Sequence, residues 1–248
     1  MIKIPASLWQ RLLPLVLVAF SFSPAVSNAN STILEPKDQG YIADISGDGF
    51  YTWNKNRFPL KVYMQSGSGL PGYRSSYPEV LKQCFDNWSR VSDGKLSWKQ
   101  VSSPKSADII VSWSDQAVEA ARGTEAGNTK TFARYNTETN WGKIDRAEMR
   151  LLTKLPEREF SDAEIHKAYL HEVGHAFGIA GHSNDRKDIM YFAVSKDQPG
   201  ELSDRDKATI NFLYEPDAQE QTTMIGLGPK YQVVGSKPGE SSSSTKRL

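Results

Sequence analysis

Cysteine is nearly missing from this 248-residue chain: Cys84 stands alone, so no disulfide can form within it and no cysteine near the N-terminus can carry a lipid anchor. Neither sign of charge is in real excess. Thirty Lys and Arg against 29 Asp and Glu leave a formal net charge of +1, which gives no broad basic surface. No zinc-finger or other nucleic-acid signature occurs, so nucleic acid is not an expected partner. Internal repeats are lacking, and so are long hydrophobic runs. The apolar run at residues 12–20 is too short to span a bilayer comfortably. With Lys3 and Arg11 before it and Ser27-Asn28-Ala29 after it, it reads as a secretory signal over residues 1–29, cleaved after Ala29. The protein is therefore expected to be exported, extracellular or periplasmic, with no integral membrane segment once the signal is removed.

Histidine is scarce too, but it is concentrated. Three of the four histidines fall within residues 171–183, His-Glu-Val-Gly-His-Ala-Phe-Gly-Ile-Ala-Gly-His-Ser. On a helix turning about 100° per residue, His171 and His175 lie one turn apart on one face, where both imidazoles can reach one ion. Glu172 lies beside them and is placed to act as a proton acceptor over a water. Gly178 permits the left-handed backbone that ends a helix, after which the chain can double back and bring His182 as a third nitrogen ligand. Three protein ligands leave one coordination position for water. His166, five residues before His171, points about 140° away on the same helix and is not expected to be a ligand.

The flanks support a helix over residues 162–177. Ser161 and Glu164 form a capping box, and Ile165, Ala168, Tyr169, Ala176 and Phe177 supply an apolar face. Strands are expected at residues 58–64, 96–101, 108–113, 130–136 and 144–152, with a helix at 77–91 carrying Cys84 as a buried thiol beside Leu81, Phe85 and Trp88. The run Asp44-Ile-Ser-Gly-Asp-Gly49 looks like the start of a calcium loop, yet Lys55 occupies its twelfth position where a bidentate glutamate is required, so a turn is expected there. Residues 217–248, with Ser241 to Ser244 in a row, read as a disordered polar tail.

From His171 onward the chain resembles the metzincin zinc endopeptidases, and among them the matrixins. Met190 stands eight residues after His182, similar to the run from third histidine to Met-turn, with Asp185 and Tyr191 also matching. Leu202, Ser203, Asp206, Ile210, Leu213 and Tyr214 resemble the family's C-terminal helix, and Phe85, Trp88, Ser89 and Ala107-Asp108-Ile109 match upstream. The likeness covers roughly residues 58–216. One departure stands out: the family's third histidine comes ten residues after the first, whereas Gly181 occupies that position here and His182 follows it. Either the loop bulges at Gly181, using glycine's conformational freedom, so that His182 still reaches the ion, or the third ligand comes from elsewhere.

The resemblance implies an α+β fold: a metzincin-type catalytic domain with a twisted mixed sheet of about five strands, an active-site helix, a Met-turn and a C-terminal helix. The domain is placed at residues 58–216, after an N-terminal segment at 30–57. It also implies a secreted zinc endopeptidase that hydrolyses internal peptide bonds, with one catalytic Zn2+ on His171, His175 and His182 and Glu172 as general base. A strand near residues 131–136 would pair with the extended polypeptide substrate, and Tyr191, Phe192, Ala193 and Val194 would line the pocket after the scissile bond. Matrixins carry a second, structural zinc on upstream histidines; no histidine precedes His166, so none is expected here. A structural Ca2+ is left open with no residues assigned, and a monomer is expected. Cys84 lies inside the domain without the motif that surrounds the inhibitory cysteine of matrixin propeptides. Two alternatives stay open: a gluzincin-type peptidase with Glu201 as third ligand, and a non-catalytic extracellular binding module on the same fold, against which the intact Glu172 argues.

Overall fold

The computed structural model describes residues 39–117, 119–120, 123–124, 126–193 and 198–228. The expected signal at residues 1–29, the pocket candidate Val194 and the last part of the polar tail lie outside the described residues.

The chain forms a mixed sheet backed by helices. In order it contains α1 (Ile42–Ile45), β1 (Phe50–Trp53), β2 (Leu60–Met64), α2 (Tyr77–Val91), β3 (Trp98–Gln100), β4 (Ile109–Ser114), the short pair β5 (Glu119–Ala120) and β6 (Gly123–Thr124), β7 (Gly127–Asn136), β8 (Trp141–Leu152), α3 (Asp162–Ala176), α4 (Asp204–Leu213) and α5 (Ala218–Met224). β3, β2, β4 and β8 run parallel in that order, and β7 is antiparallel on the far side of β8. β8 is long enough to take two neighbours along one edge: its first residues pair with β1 and its last with β4.

Alternation sets which face is buried. Ile109, Val111 and Trp113 of β4 are buried and stand in register with Ala147, Met149 and Leu151 of β8, while the residues between them are more exposed. Onto this apolar face packs α3, which touches β7 and β8 on one side and α2 on the other. The α2 side chains Leu81, Cys84, Phe85 and Trp88 recur at helical spacing and are all fully buried, with the Trp88 indole donating to Leu170 O at 2.8 Å.

Three expectations need correction. Residues 50–53, read as part of a segment preceding the domain, form a strand of its sheet, and all four are buried. They do not alternate, so no strand pattern was visible. The tail read as disordered from Asp217 begins with α5, whose Ala218, Gln221 and Thr222 are buried and whose Thr222 hydroxyl accepts the Trp141 indole at 3.0 Å. β7 and β8 also start three residues before their expected positions at 130 and 144, at Gly127 and Trp141. The Asp44 carboxylate, in the run that resembled a calcium loop, pairs with Arg205 and accepts from the Asn184 amide.

Candidate metal centre

The centre is built on α3. Its first turn closes with the expected capping box: Glu164 N donates to Ser161 Oγ at 3.3 Å and Ser161 N to Glu164 Oε2 at 2.9 Å. Arg158, in a fork on the same carboxylate, holds Glu164 down to about 2, with the Ser161 amide adding to the effect.

Two turns on, α3 presents His171 and His175. Each imidazole has its Nδ1 against a backbone carbonyl, His171 to Ile189 O at 2.8 Å and His175 to Ile179 O at 2.6 Å. A carbonyl only accepts, so both Nδ1 atoms carry the proton and both Nε2 atoms are bare. Those two Nε2 atoms face each other at 3.1 Å. Burial, with His182 adding to it, lowers the His171 pKa to about 4, and burial with His171 beside it pushes His175 well below the ordinary imidazole value. Both rings are neutral near pH 7, and no proton lies between them. The His182 ring completes the group, its centroid 5.2 Å from that of His171 and 5.0 Å from that of His175. One ring nitrogen from each histidine falls within 4.8 Å of the others.

This donor set fits zinc. Tetrahedral Zn–N bonds of about 2.0–2.1 Å put ligand nitrogens roughly 3.3 Å apart, close to the separation already present between His171 and His175. Two opposed lone pairs repel each other unless a cation lies between them, and neutral imidazole is the form that binds a metal.

The loop to His182 depends on two glycines for different reasons. Gly178 has φ +114°, which ends α3, and a side chain there would run into Tyr51 O. Gly181 does not have positive φ; instead an added Cβ would lie 2.5 Å from Asp48 Oδ2 and 3.1 Å from Ile45 Cα. The expected role of conformational freedom at Gly181 is thus replaced by close approach to α1. Beyond it, Ser183 N donates to Met190 O at 2.8 Å, so the loop closes on itself. Met190 is fully buried beneath α3, its Sδ occupying the space where a side chain at Gly174 would stand.

Two acidic side chains, Asp206 in the first turn of α4 and Asp188 in the loop itself, tie this loop to that helix. Asp206 is fully buried and accepts from Ile189 N at 2.9 Å, Ser203 N at 2.9 Å and Tyr41 Oη at 2.8 Å. Asp188 accepts from the Ser183 hydroxyl, from Ser203 Oγ at 2.6 Å and from Arg205 Nη1 at 2.8 Å. Sequence reasoning did not single out Asp188.

Residues 52–215 match the family model described as Matrixin. The chain belongs to the matrixin family. Its sheet, helices and histidine group are those of a matrixin-type zinc metalloprotease domain. Comparison with curated proteins gives no match.

Glu172 of this matrixin is buried at 6% exposure, and Thr129 Oγ1 donates to its Oε2 at 2.6 Å. Gly127, two residues earlier on β7, leaves the room that the glutamate fills: a Cβ there would be 2.7 Å from Glu172 Cγ. Neither β7 residue was visible as a site residue in the sequence. Of the pocket candidates, Tyr191 is half-buried and bridges to Ser183, whereas Phe192 and Ala193 are exposed. Glu201 is exposed and lies outside the histidine group. His166 is outside it as well, with Nδ1 3.9 Å from the Cys84 thiol. Burial pushes the Cys84 thiol up, so it stays protonated and inert.

Proposed function

We propose that this matrixin is an exported zinc endopeptidase that hydrolyses internal peptide bonds. The observation that supports it most is the pair of bare, neutral Nε2 atoms of His171 and His175 at 3.1 Å, with the His182 ring beside them and a buried carboxylate, Glu172, next in the chain.

His171, His175 and His182 would hold the zinc, which supplies Lewis acidity that makes water a nucleophile near neutral pH and polarises a carbonyl. Glu172 takes the proton from the attacking water and returns it to the departing amine. The Thr129 hydroxyl donates to one carboxylate oxygen and so holds the orientation of the carboxylate. Among the described residues β7 pairs with β8 alone, which leaves its second edge of N–H and C=O groups to an extended substrate backbone around residues 131–136. Tyr191 to Val194 receive the residue after the scissile bond. Residues 1–29 direct export; no helix among the described residues is long and apolar enough to cross a membrane.

Purified protein should hydrolyse casein, lose that activity to a chelator and regain it with zinc, while Glu172→Ala should be inactive with its zinc retained. Full-length protein that holds zinc but cleaves no peptide bond in casein or in a mixed peptide library would turn the reading toward a binding module on the same fold.

A further inference from the structure

A second site lies where β2 and β4 begin. A cleft of about 450 Å³, within the range of small-ligand pockets, is lined by Arg57, Lys61, Lys99, Lys105, Ser106 and Asp108 among others. β2 and β3 are parallel with Lys61 in register with Lys99, so two ammonium-bearing side chains project side by side from adjacent strands. Strands lie about 4.8 Å apart, and like charges at such positions destabilise a sheet. Lys61, Lys99 and Lys105 form no ion pair among the described residues.

The one carboxylate in the lining is already engaged. Asp108 is buried, its Oδ1 held by the Arg57 guanidinium and its Oδ2 by Lys61 N at 2.8 Å. Arg57 is fixed in turn by Asp145 O at 3.2 Å and lies over the Trp53 ring at 5.8 Å. In a chain of net charge +1, this is a local concentration of uncompensated cations.

We infer that this cleft binds a multivalent oxyanion, a ligand bearing several sulfate or phosphate groups. Lysine ammoniums are hydrated point charges without a planar fork, suited to tetrahedral oxyanions from several directions. The lining offers only Phe58, Pro59 and Ala107 as apolar surface, too little to seat the side chains of an acidic peptide. A ligand with high charge density also relieves the Lys61 and Lys99 repulsion, which is the free energy the site holds ready for binding.

The test uses the zinc-loaded full-length protein and inositol hexasulfate, a weak zinc chelator, in calorimetric titration at physiological salt. Saturable binding at one per chain is expected, weakened as salt rises. Lys61→Gln/Lys99→Gln should weaken it by at least about tenfold, the loss of one or two charge-assisted hydrogen bonds, whereas Lys207→Gln, whose ammonium pairs with Asp204 elsewhere, should change it less than about twofold. Inorganic sulfate should compete at higher concentration. The double variant should melt no lower than the parent in anion-free buffer, since it removes a repulsion. Absence of saturable heat, equal affinity in the double variant, a lowered melting point for it, or tighter binding of hexaglutamate than of hexasulfate would each overturn the inference.

Discussion

Thr129 and Glu172 are 43 residues apart, yet the threonine hydroxyl meets the buried carboxylate at 2.6 Å. A hydroxyl has one proton, and Glu172 Oε2 at 2.6 Å and Glu172 O at 3.2 Å are both within its reach. The bond fixes the rotamer of the proposed general base from a strand that is itself locked into the sheet. Thr129→Val keeps the shape and deletes the donor. It should lower kcat by about 10- to 100-fold, the usual cost of removing a partner that orients a functional group, with KM and zinc content little changed. Thr129→Ser should restore most of the rate. Equal kcat in the valine variant, measured on a fluorogenic peptide, would remove Thr129 from this role.

Zinc content separates the candidate ligands. His182→Ala should leave less than one zinc per chain after dialysis, and Glu201→Ala should retain one, because Glu201 lies outside the histidine group. Saturating zinc at about a thousand times its Kd should add roughly 4 kcal/mol to unfolding stability, and chelation should remove it. Elemental analysis with thermal melts of both variants decides the matter.

Acid should act on the same histidines. The His171 pKa falls from 6.5 to about 4 on folding, and that of His175 moves in the same direction. As pH drops below 6.5 the unfolded chain takes up protons that the folded chain refuses. This contribution to the zinc-free fold is therefore complete above pH 6.5 and is lost progressively toward about pH 4. Urea midpoints of zinc-free protein should fall across that window more steeply than those of a His171→Gln/His175→Gln variant. Parallel curves would show that the imidazoles are not kept neutral by the fold.

Gly181→Ala puts a methyl group 2.5 Å from Asp48 Oδ2 and 3.1 Å from Ile45 Cα. Overpacking of this kind costs about 1–3 kcal/mol, and here the strain falls on the residue before a proposed ligand. Both the melting temperature and zinc affinity should drop. An unchanged melting point would mean that α1 yields freely to the added group.

Ser161→Ala removes the cap of α3, at a typical cost of about 1 kcal/mol. Glu164 would lose one of the partners that hold its carboxyl near 2. Its stabilisation is present above the ordinary carboxylate value of 4.5 and fades as pH falls toward about 2, so the variant should be less stable at pH 7 and closer to the parent at pH 2.5. Chemical denaturation at the two pH values measures the difference.

Local rules made much of the centre legible. The four-residue spacing of His171 and His175, the capping box at Ser161 and Glu164, the turn at Gly178 and the distance from His182 to Met190 all act over one or two helical turns, where chain geometry alone restricts the outcome. The sheet was legible where alternation was clean, as in β4, and hidden where it was not, as in the wholly buried β1.

By itself the sequence determined that a helix presents two imidazoles on one face, and that the chain turns back with a third histidine soon after. Tertiary structure decided what surrounds them. The β7 to β8 register, with its irregularity between Phe132 and Ala133, determines which β7 side chains face α3 and so brings Thr129 to Glu172. The packing of α1 against the loop turned Gly181 into a matter of space, and the pairing of β2 with β3 set Lys61 beside Lys99 inside an overall charge of only +1. A helix repeats within a few residues of chain, whereas strand register and inter-element contact join residues whose separation carries no periodic signal.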